Sequence, residues 1–338
     1  MTSFTELIAS IRPSHVDVFV DPPSRLKAFL VLDNLTLGPA AGGIRTASYS
    51  SDEEALKDAL HLARAMTLKC AIAGLDAGGG KLVIMDHPSL DRKAAFQYIG
   101  KRVEELSGLF HTAGDLGTTH DDLLQMKKYC RFVHLDHGPL SEAVGATIVA
   151  TISACITLGH LPQFSKLKVA VQGCGDMGQS AVRALVNAGA QVSLCDTIGN
   201  RAEQCASATG ATVISPESFF AQPVDVLVPC ARSHVLDEKA VRSIQAKVIS
   251  GAANNLLQSP RIDALLRERG IIFIPDFLSS SGAVIQGVAP LLMGVEDPST
   301  LIARVEETTR QVLEGSVQNG KAISTVWVAE RIAQNRLS

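Results

Sequence analysis

Three short segments in the first half of the chain carry residue types that move protons: Thr67-Leu68-Lys69, Gly78-Gly79-Gly80-Lys81 and Ala113-Gly114-Asp115-Leu116-Gly117-Thr118. Lys81 stands between three glycines and the apolar run Leu82-Val83-Ile84-Met85, where a solvated lysine does not belong. Burial beside another cation lowers the pKa of an amine and leaves a neutral group able to act as a base. Lys69, after an apolar helical stretch, can hold a carboxylate as a fixed point charge. Asp115, in a glycine-flanked loop, can exchange a proton with an amine. Spacing alone leaves a second reading open, in which Lys69 and Lys81 are merely exposed ends of a helix and a strand.

A separate constellation lies further on. Gly173-Cys174-Gly175-Asp176-Met177-Gly178 follows an apolar strand pattern and opens a helical one. In that context Gly173 permits the tight turn, Gly175 lets backbone approach a pyrophosphate, and Gly178 lets helix pack on strand. Amides at the helix start, at Asp176 and Met177, face the phosphates with the positive end of the helix dipole. Asp196 ends the next strand, where a carboxylate accepts hydrogen bonds from a ribose and repels a 2′-phosphate; this favours NAD over NADP, with Arg201 nearby working slightly against it.

These groups need elements to hold them. Runs at Val16–Val20 and Leu26–Leu32 read as strands, and 38–43 as turn-rich. Ser51 and Glu54 read as a capping box for a helix through about Met66. Lys81–Met85 reads as a buried strand behind a glycine-rich stretch, with helices near 91–106 and 120–129. From about 143 strand and helix alternate: a helix at 143–159, strand Lys168–Gln172, a helix at 177–188, strand Gln191–Cys195, a helix at 200–208, then strands Val224–Val228, Lys247–Ser250 and Ile271–Ile274. Helices near 299–317 and 323–334 close the chain. Such alternation predicts a mostly parallel sheet covered on both faces.

Composition sets limits on function. At 338 residues two domains are expected. Net charge is −3 without a basic block, and aromatic residues are 4%, which argues against a nucleic-acid surface or base-stacking platform. Mean hydropathy is +0.19, yet no uninterrupted apolar run reaches the ~20 residues that span a bilayer, and Met1–Glu6 lacks a secretion pattern. Seven scattered cysteines, none in a CxxC pair, predict reduced thiols and a cytoplasmic protein without a metal site. His134 and His137 lie three apart without acids to complete a site and read as structural. Cys174 and Cys195 read as small core residues, and Cys230 has no partner that would make it a nucleophile.

Taken in order, GPAAGGIR (38–45), MTLKCAIAGLDAGGGK (66–81), AGDLGT (113–118), GCGDMG (173–178), PCA (229–231), GAANN (251–255) and PDFLSSSGAVI (275–285) resemble the glutamate/leucine/phenylalanine/valine dehydrogenase family over nearly the whole chain. They look most like its smaller leucine, phenylalanine and tryptophan enzymes. The resemblance implies an α/β protein of two domains: an N-terminal α/β catalytic domain, 1–141, completed by C-terminal helices 299–338, and a Rossmann-type dinucleotide-binding domain, 142–298, with the active site in the cleft. It implies reversible, NAD-dependent oxidative deamination of an L-amino acid to a 2-oxo acid and ammonia by a homo-oligomer. Lys69 would bind the substrate carboxylate, Lys81 would be the general base and Asp115 would shuttle the amine proton. Gly42 and Gly43 would lend backbone to the substrate. Asn254 would touch the nicotinamide and Asn255 the substrate, and Cys230 and Ala231 would line the nicotinamide site. By the same alignment Ala41, Ala113, Val284 and Gly287 would line the side-chain pocket; Ala41 and Ala113 are small and Gly287 replaces a larger apolar residue, which implies a bulky or aromatic substrate such as phenylalanine or tryptophan. Three positions depart from the family pattern: Glu142 replaces a threonine near the cofactor, and Ser280 and Gln286 replace asparagines. Glu142 is either an acid favoured at a helix N-terminus or a partner for a substrate group. Those departures leave two alternatives: a specialised-pathway oxidoreductase acting on an imine or amino acid, or a catalytically weakened NAD- and amino-acid-binding regulatory relative.

Overall fold

The computed structural model describes residues 4–135, 138–318 and 320–338. The described chain divides into two compact units. One comprises the residues before Gly138 with Leu291–Gly294 and Arg336–Ser338; the other comprises Gly138–Pro290 and Val295–Asn335.

In the first unit, strands β1 (His15–Asp21), β2 (Leu26–Asn34), β3 (Ala40–Ala47), β4 (Gly78–Met85) and β5 (Phe110–Gly114) form one sheet in the order β1-β2-β4-β3-β5. β1, β2 and β4 pair antiparallel, whereas β3 runs parallel to both β4 and β5. The sheet separates two apolar layers. Leu30, Leu32, Leu82, Ile84, Ile44 and Phe110 face one side, where Phe96 and Ile99 of the helix Arg92–Glu105 cover them. Phe29, Val31 and Val83 face the other, beneath Leu56, Ala59, Leu60 and Ala63 of the long helix α1 (Asp52–Ile72). Strand alternation therefore places Lys81 on the α1 side, across from Val31.

Two segments differ from the sequence expectation. Residues 40–47 form a central strand, although the run 38–43 has the composition of a turn, and β4 begins at Gly78 rather than at Lys81. The cause is close backbone approach. A Cβ on Gly42 would collide with the carbonyl of Gly80, and one on Gly79 would collide with the Thr67 amide of α1. Glycine here serves packing, and only Gly38, at φ +142°, uses glycine's freedom to turn. Helix α1 also runs six residues past Met66, so Lys69 lies in its last turn, which the buried Thr67, Cys70, Ala71 and Ile72 hold down. At its start the Ser51 hydroxyl accepts from the Glu54 amide, but the Glu54 carboxylate accepts from Ser50, leaving half of the expected capping box.

The second unit is a six-stranded, wholly parallel sheet, the Rossmann-type layer expected. Its strands are β6 (Lys168–Gln172), β7 (Gln191–Cys195), β8 (Thr212–Val213), β9 (Val226–Pro229), β10 (Val248–Ile249) and β11 (Ile272–Phe273), in the order β11-β10-β9-β6-β7-β8. Helix Leu140–Thr157 packs against Asp176–Asn187 and Ser299–Gly315. That first helix is 18 residues long with mean hydropathy 1.5, long and apolar enough to cross a membrane by length and composition, and half of it is buried inside this unit. The C-terminal helices Ser299–Gly315 and Thr325–Asn335 belong to this second unit. Beyond them Arg336–Ser338 returns to the first, as Leu291–Gly294 does before them, and the Arg336 guanidinium donates to the Ala71 and Leu75 carbonyls at the end of α1. Ser299–Gly315 packs on Leu140–Thr157 within this unit.

Candidate active site

Lys81 is only 6% exposed, so it is a buried mid-strand lysine and not a solvated strand end. Its Nζ lies 2.5 Å from Asp115 Oδ2. Asp115 is placed by the turn after β5, which the Thr118 hydroxyl secures by donating to the Ile44 carbonyl. Gly43 leaves the space for this pair: a Cβ there would sit 3.0 Å from Asp115 Cβ and 3.4 Å from Lys81 Nζ. Burial pushes the Lys81 ammonium below the ordinary lysine range; the Asp115 charge and hydrogen bond oppose that, and Arg45 reinforces it. Burial alone would raise the Asp115 carboxyl. The Lys81 charge and hydrogen bond, the Leu116 amide and Arg45 outweigh it and hold that carboxyl below the usual range. The result is an ionised carboxylate beside a lysine that gives up its proton more readily than a free one.

Three further residues complete the cluster. Arg45, on β3, brings its Nε to 3.4 Å from Asp115 Oδ2, while its Nη1 lies 3.1 Å from Asp58 Oδ2 on α1. The Tyr49 hydroxyl donates to the same Asp58 oxygen at 2.7 Å. Sequence reasoning passed over Arg45, Asp58 and Tyr49. The one signal available was that Arg45 closes the GPAAGGIR motif.

Ala41 and Ala113 lie on the strands beside Lys81. Ala41 pairs with His111 and Gly43 with Ala113, which sets Ala41, Gly43, His111 and Ala113 on the sheet face that carries the lysine. Lys69, half-buried in the last turn of α1, belongs to the helix that covers this face. His111 Nδ1 lies 3.0 Å from His134 Nε2 with the rings stacked, and burial lowers the His111 pKa. His134 thus pairs with His111, and His137 lies outside the described residues. Among the described residues no group of three or more His, Cys, Asp or Glu is disposed to hold a metal ion.

In the second unit the glycine loop has the geometry a dinucleotide requires. Gly173 sits at φ +92°, and a Cβ on Gly178 would strike the Gly173 carbonyl, so helix and loop are in contact. A Cβ on Gly175 would meet nothing within 4 Å, leaving open space before the helix Asp176–Asn187, whose N-terminus has no side-chain cap. Asp176 is exposed and Met177 half-buried in that first turn. Asp196 Oδ2 accepts from the Cys174 amide at 2.7 Å and Oδ1 from the Ile198 amide at 2.8 Å, fixing a carboxylate at the tip of β7. Open space, free amides and a fixed acid suit a pyrophosphate and ribose.

Around the end of β9 the Cys230 amide donates to the Gln172 carbonyl, and Ala231 lies against Gly173. Burial pushes the Cys230 thiol up to about 12, so it is no nucleophile at neutral pH. Asn254 and Asn255 are exposed. Asn255 takes φ +52°, and its amide donates to Asp276 at 2.8 Å. Val284 and Gly287 are half-buried on the helix Gly282–Met293, and a Cβ on Gly287 would make only ordinary contact, 3.6 Å from Leu140. Glu142 is exposed in the first turn of Leu140–Thr157, the ordinary place for a helix N-terminal acid.

Comparison with known proteins bears on both units. Residues 17–131 match the family described as "Glu/Leu/Phe/Val dehydrogenase, dimerisation domain", and 196–318 match "Glutamate/Leucine/Phenylalanine/Valine dehydrogenase". The chain is 33% identical over 331 residues to phenylalanine dehydrogenase of Lysinibacillus sphaericus, covering 94% of this chain and 86% of that protein. It is 32% identical to leucine dehydrogenase of Thermoactinomyces intermedius, covering 94% and 88%. The crystal structure of L-tryptophan dehydrogenase from Nostoc punctiforme superposes with a TM-score of 0.88 at 29% identity, covering 99% of this chain and 98% of that one. With both halves of a two-part family matched and relatives of this identity spanning almost its full length, the chain belongs to the Glu/Leu/Phe/Val dehydrogenase family of amino-acid dehydrogenases.

Proposed function

We propose that this protein catalyses reversible oxidative deamination of a bulky or aromatic L-amino acid to the 2-oxo acid and ammonia, with NAD as oxidant. The observation that carries this reading is the buried Lys81–Asp115 pair on the face that also bears Gly43, Ala41 and Ala113. A module that only bound an amino acid would have no use for a buried base, since burying a lysine costs free energy that only a close partner offsets.

Each side chain then has a task. The Lys69 ammonium anchors the substrate carboxylate, and the Gly42 and Gly43 backbone lines the substrate's path along the sheet face. Asp115, held ionised, takes a proton from the substrate amine and so frees its lone pair. NAD, when bound, supplies the hydride acceptor for Cα. Lys81, as the neutral amine, takes a proton from the water that attacks the resulting iminium carbon. Lys81 then gives that proton up to solvent. As the carbinolamine collapses, Lys81 takes the hydroxyl proton while Asp115 returns its own to the departing nitrogen, so the C–N bond breaks, the 2-oxo acid forms and ammonia leaves.

The second unit would hold the cofactor through the amides at Gly175, Asp176, Met177 and Gly178, with Asp196 on the ribose, and with Cys230, Ala231 and Asn254 beside the nicotinamide. Asn255, Val284 and Gly287, all on the second unit, would act on the substrate in this reading. The fixed Asp196 carboxylate would repel a 2′-phosphate, which favours NAD over NADP. The edge strand β1, with Val18 54% and Val20 53% exposed, supports association with a second copy of the chain.

The test is initial-rate formation of reduced nicotinamide from a panel of L-amino acids with NAD and with NADP. Phenylalanine or tryptophan should exceed leucine or valine in kcat/KM by about tenfold or more, since a few methylenes are worth ~1–3 kcal/mol. NAD should exceed NADP. A panel led by leucine or valine would overturn the pocket argument, and no turnover with any amino acid would overturn the activity.

A further inference from the structure

The Lys81–Asp115 pair raises a difficulty for the chemistry proposed above, and Arg45 resolves it. For Lys81 to act as a base it must be uncharged, yet an uncharged Lys81 leaves Asp115 half-buried without its closest cation. A carboxylate stranded in that way pulls a proton back onto the lysine or becomes protonated itself. Arg45 supplies the missing charge. Its guanidinium stays protonated at any working pH, and its Nε is buried, makes no hydrogen bond and lies 3.4 Å from Asp115 Oδ2, the oxygen that also receives Lys81.

The guanidinium is fixed from its other end. Nη1 donates to Asp58 Oδ1 and Oδ2 at 3.4 and 3.1 Å, and Asp58 is itself held by the Tyr49 hydroxyl. Backbone placement adds to this, because Arg45 follows Gly43 by two residues on β3 and so projects from the same sheet face as Lys81 on β4.

We propose that Arg45 is a positioning residue: anchored by Asp58, it keeps the Asp115 carboxylate charged and in place beside an uncharged Lys81 until Asp115 takes the substrate's proton. This inference rests on the deamination reading for its catalytic meaning, but the charge coupling can be measured without turnover. The charged groups acting on Lys81 are Asp115 after β5, Arg45 on β3 and Asp58 on α1, with Tyr49 acting through Asp58. Val31, opposite it on β2, carries no charge. Asp115 and Asp58 favour the ammonium, and Arg45 alone of these disfavours it. Removing Arg45 should therefore make Lys81 harder to deprotonate.

The experiment is competitive labelling of the intact protein with acetic anhydride across a pH series, with Lys81 acetylation read by peptide mass spectrometry, alongside kcat and KM for L-phenylalanine with NAD. Arg45→Gln should raise the labelling midpoint of Lys81 by about one pH unit, a roughly tenfold loss of reactive amine at a fixed pH below the midpoint. It should also lower kcat more than it raises KM. Arg45→Lys, which restores the charge, should recover at least half of the shift. Circular dichroism verifies the fold, and Arg45→Met replaces the glutamine variant if that one does not fold. An unchanged or lowered midpoint in the neutral variant overturns the proposal, as does a lysine variant that shifts as far as the glutamine one. Absence of turnover in the wild-type protein, with the labelling shift present, would overturn the deamination reading and leave the coupling standing.

Discussion

Lys81→Ala is expected to lower kcat for NADH formation by about 10²–10⁴-fold, the usual contribution of a positioned proton-transfer group, while NADH binding stays close to wild type. The separation follows from placement. Lys81 lies on β4 of the first unit, and the groups assigned to the nucleotide all lie in the second. Stopped-flow turnover together with fluorescence titration of NADH would measure both. The substitution removes one of two cations facing Asp115, but Arg45 remains at 3.4 Å, so the carboxylate is not abandoned in the interior. Turnover near the wild-type rate would remove Lys81 from the chemistry.

Asp115→Asn should be nearly as damaging, with kcat lower by about 10²–10⁴-fold, because an amide can neither take a proton from the substrate amine nor return one to departing ammonia. It should also change how stability depends on pH. Asp115 opposes the depression of the Lys81 pKa, so its loss lowers the folded-state midpoint further below 10.5, the value that an unfolded lysine approaches. Between the two midpoints the unfolded chain binds more protons than the folded one, and stability rises with pH across that window. Relative to wild type, the variant should thus lose most stability below its own Lys81 midpoint and recover between that midpoint and the higher wild-type one, both of which lie below 10.5. Urea unfolding at several pH values reads this directly; a stability difference independent of pH would show that Lys81 is not strained by losing its partner.

How much of this can be read without coordinates differs between the two units. The strand Lys168–Gln172, the loop from Gly173 to Gly178 and the helix behind it are legible because all their determinants are local: an apolar run, three glycines at fixed spacing and a helical period. Asp196 is legible for the same reason, as the end of the next strand. In the first unit, Lys81 and Asp115 are suggestive by residue type, but their meeting at 2.5 Å depends on β3 lying between β4 and β5, a parallel order that no short-range pattern encodes. β3 itself is disguised. Its glycines exist because neighbouring backbones come too close for a Cβ, and read singly they suggest a turn. Arg45 and Asp58 are hidden by distance, since their pairing joins a strand to a helix 13 residues away, and in each local context they pass for solvated surface charges.

The central claim is that an uncharged amine at position 81 takes the proton from water. The pH dependence of kcat for NADH formation from L-phenylalanine tests it most directly, because kcat reports groups titrating in the enzyme–substrate complex. The account predicts a rate that climbs with pH along a limb whose midpoint lies below the ordinary lysine value of 10.5. A rate that stays level from about pH 6 to about pH 10, or that falls over this range, would contradict it.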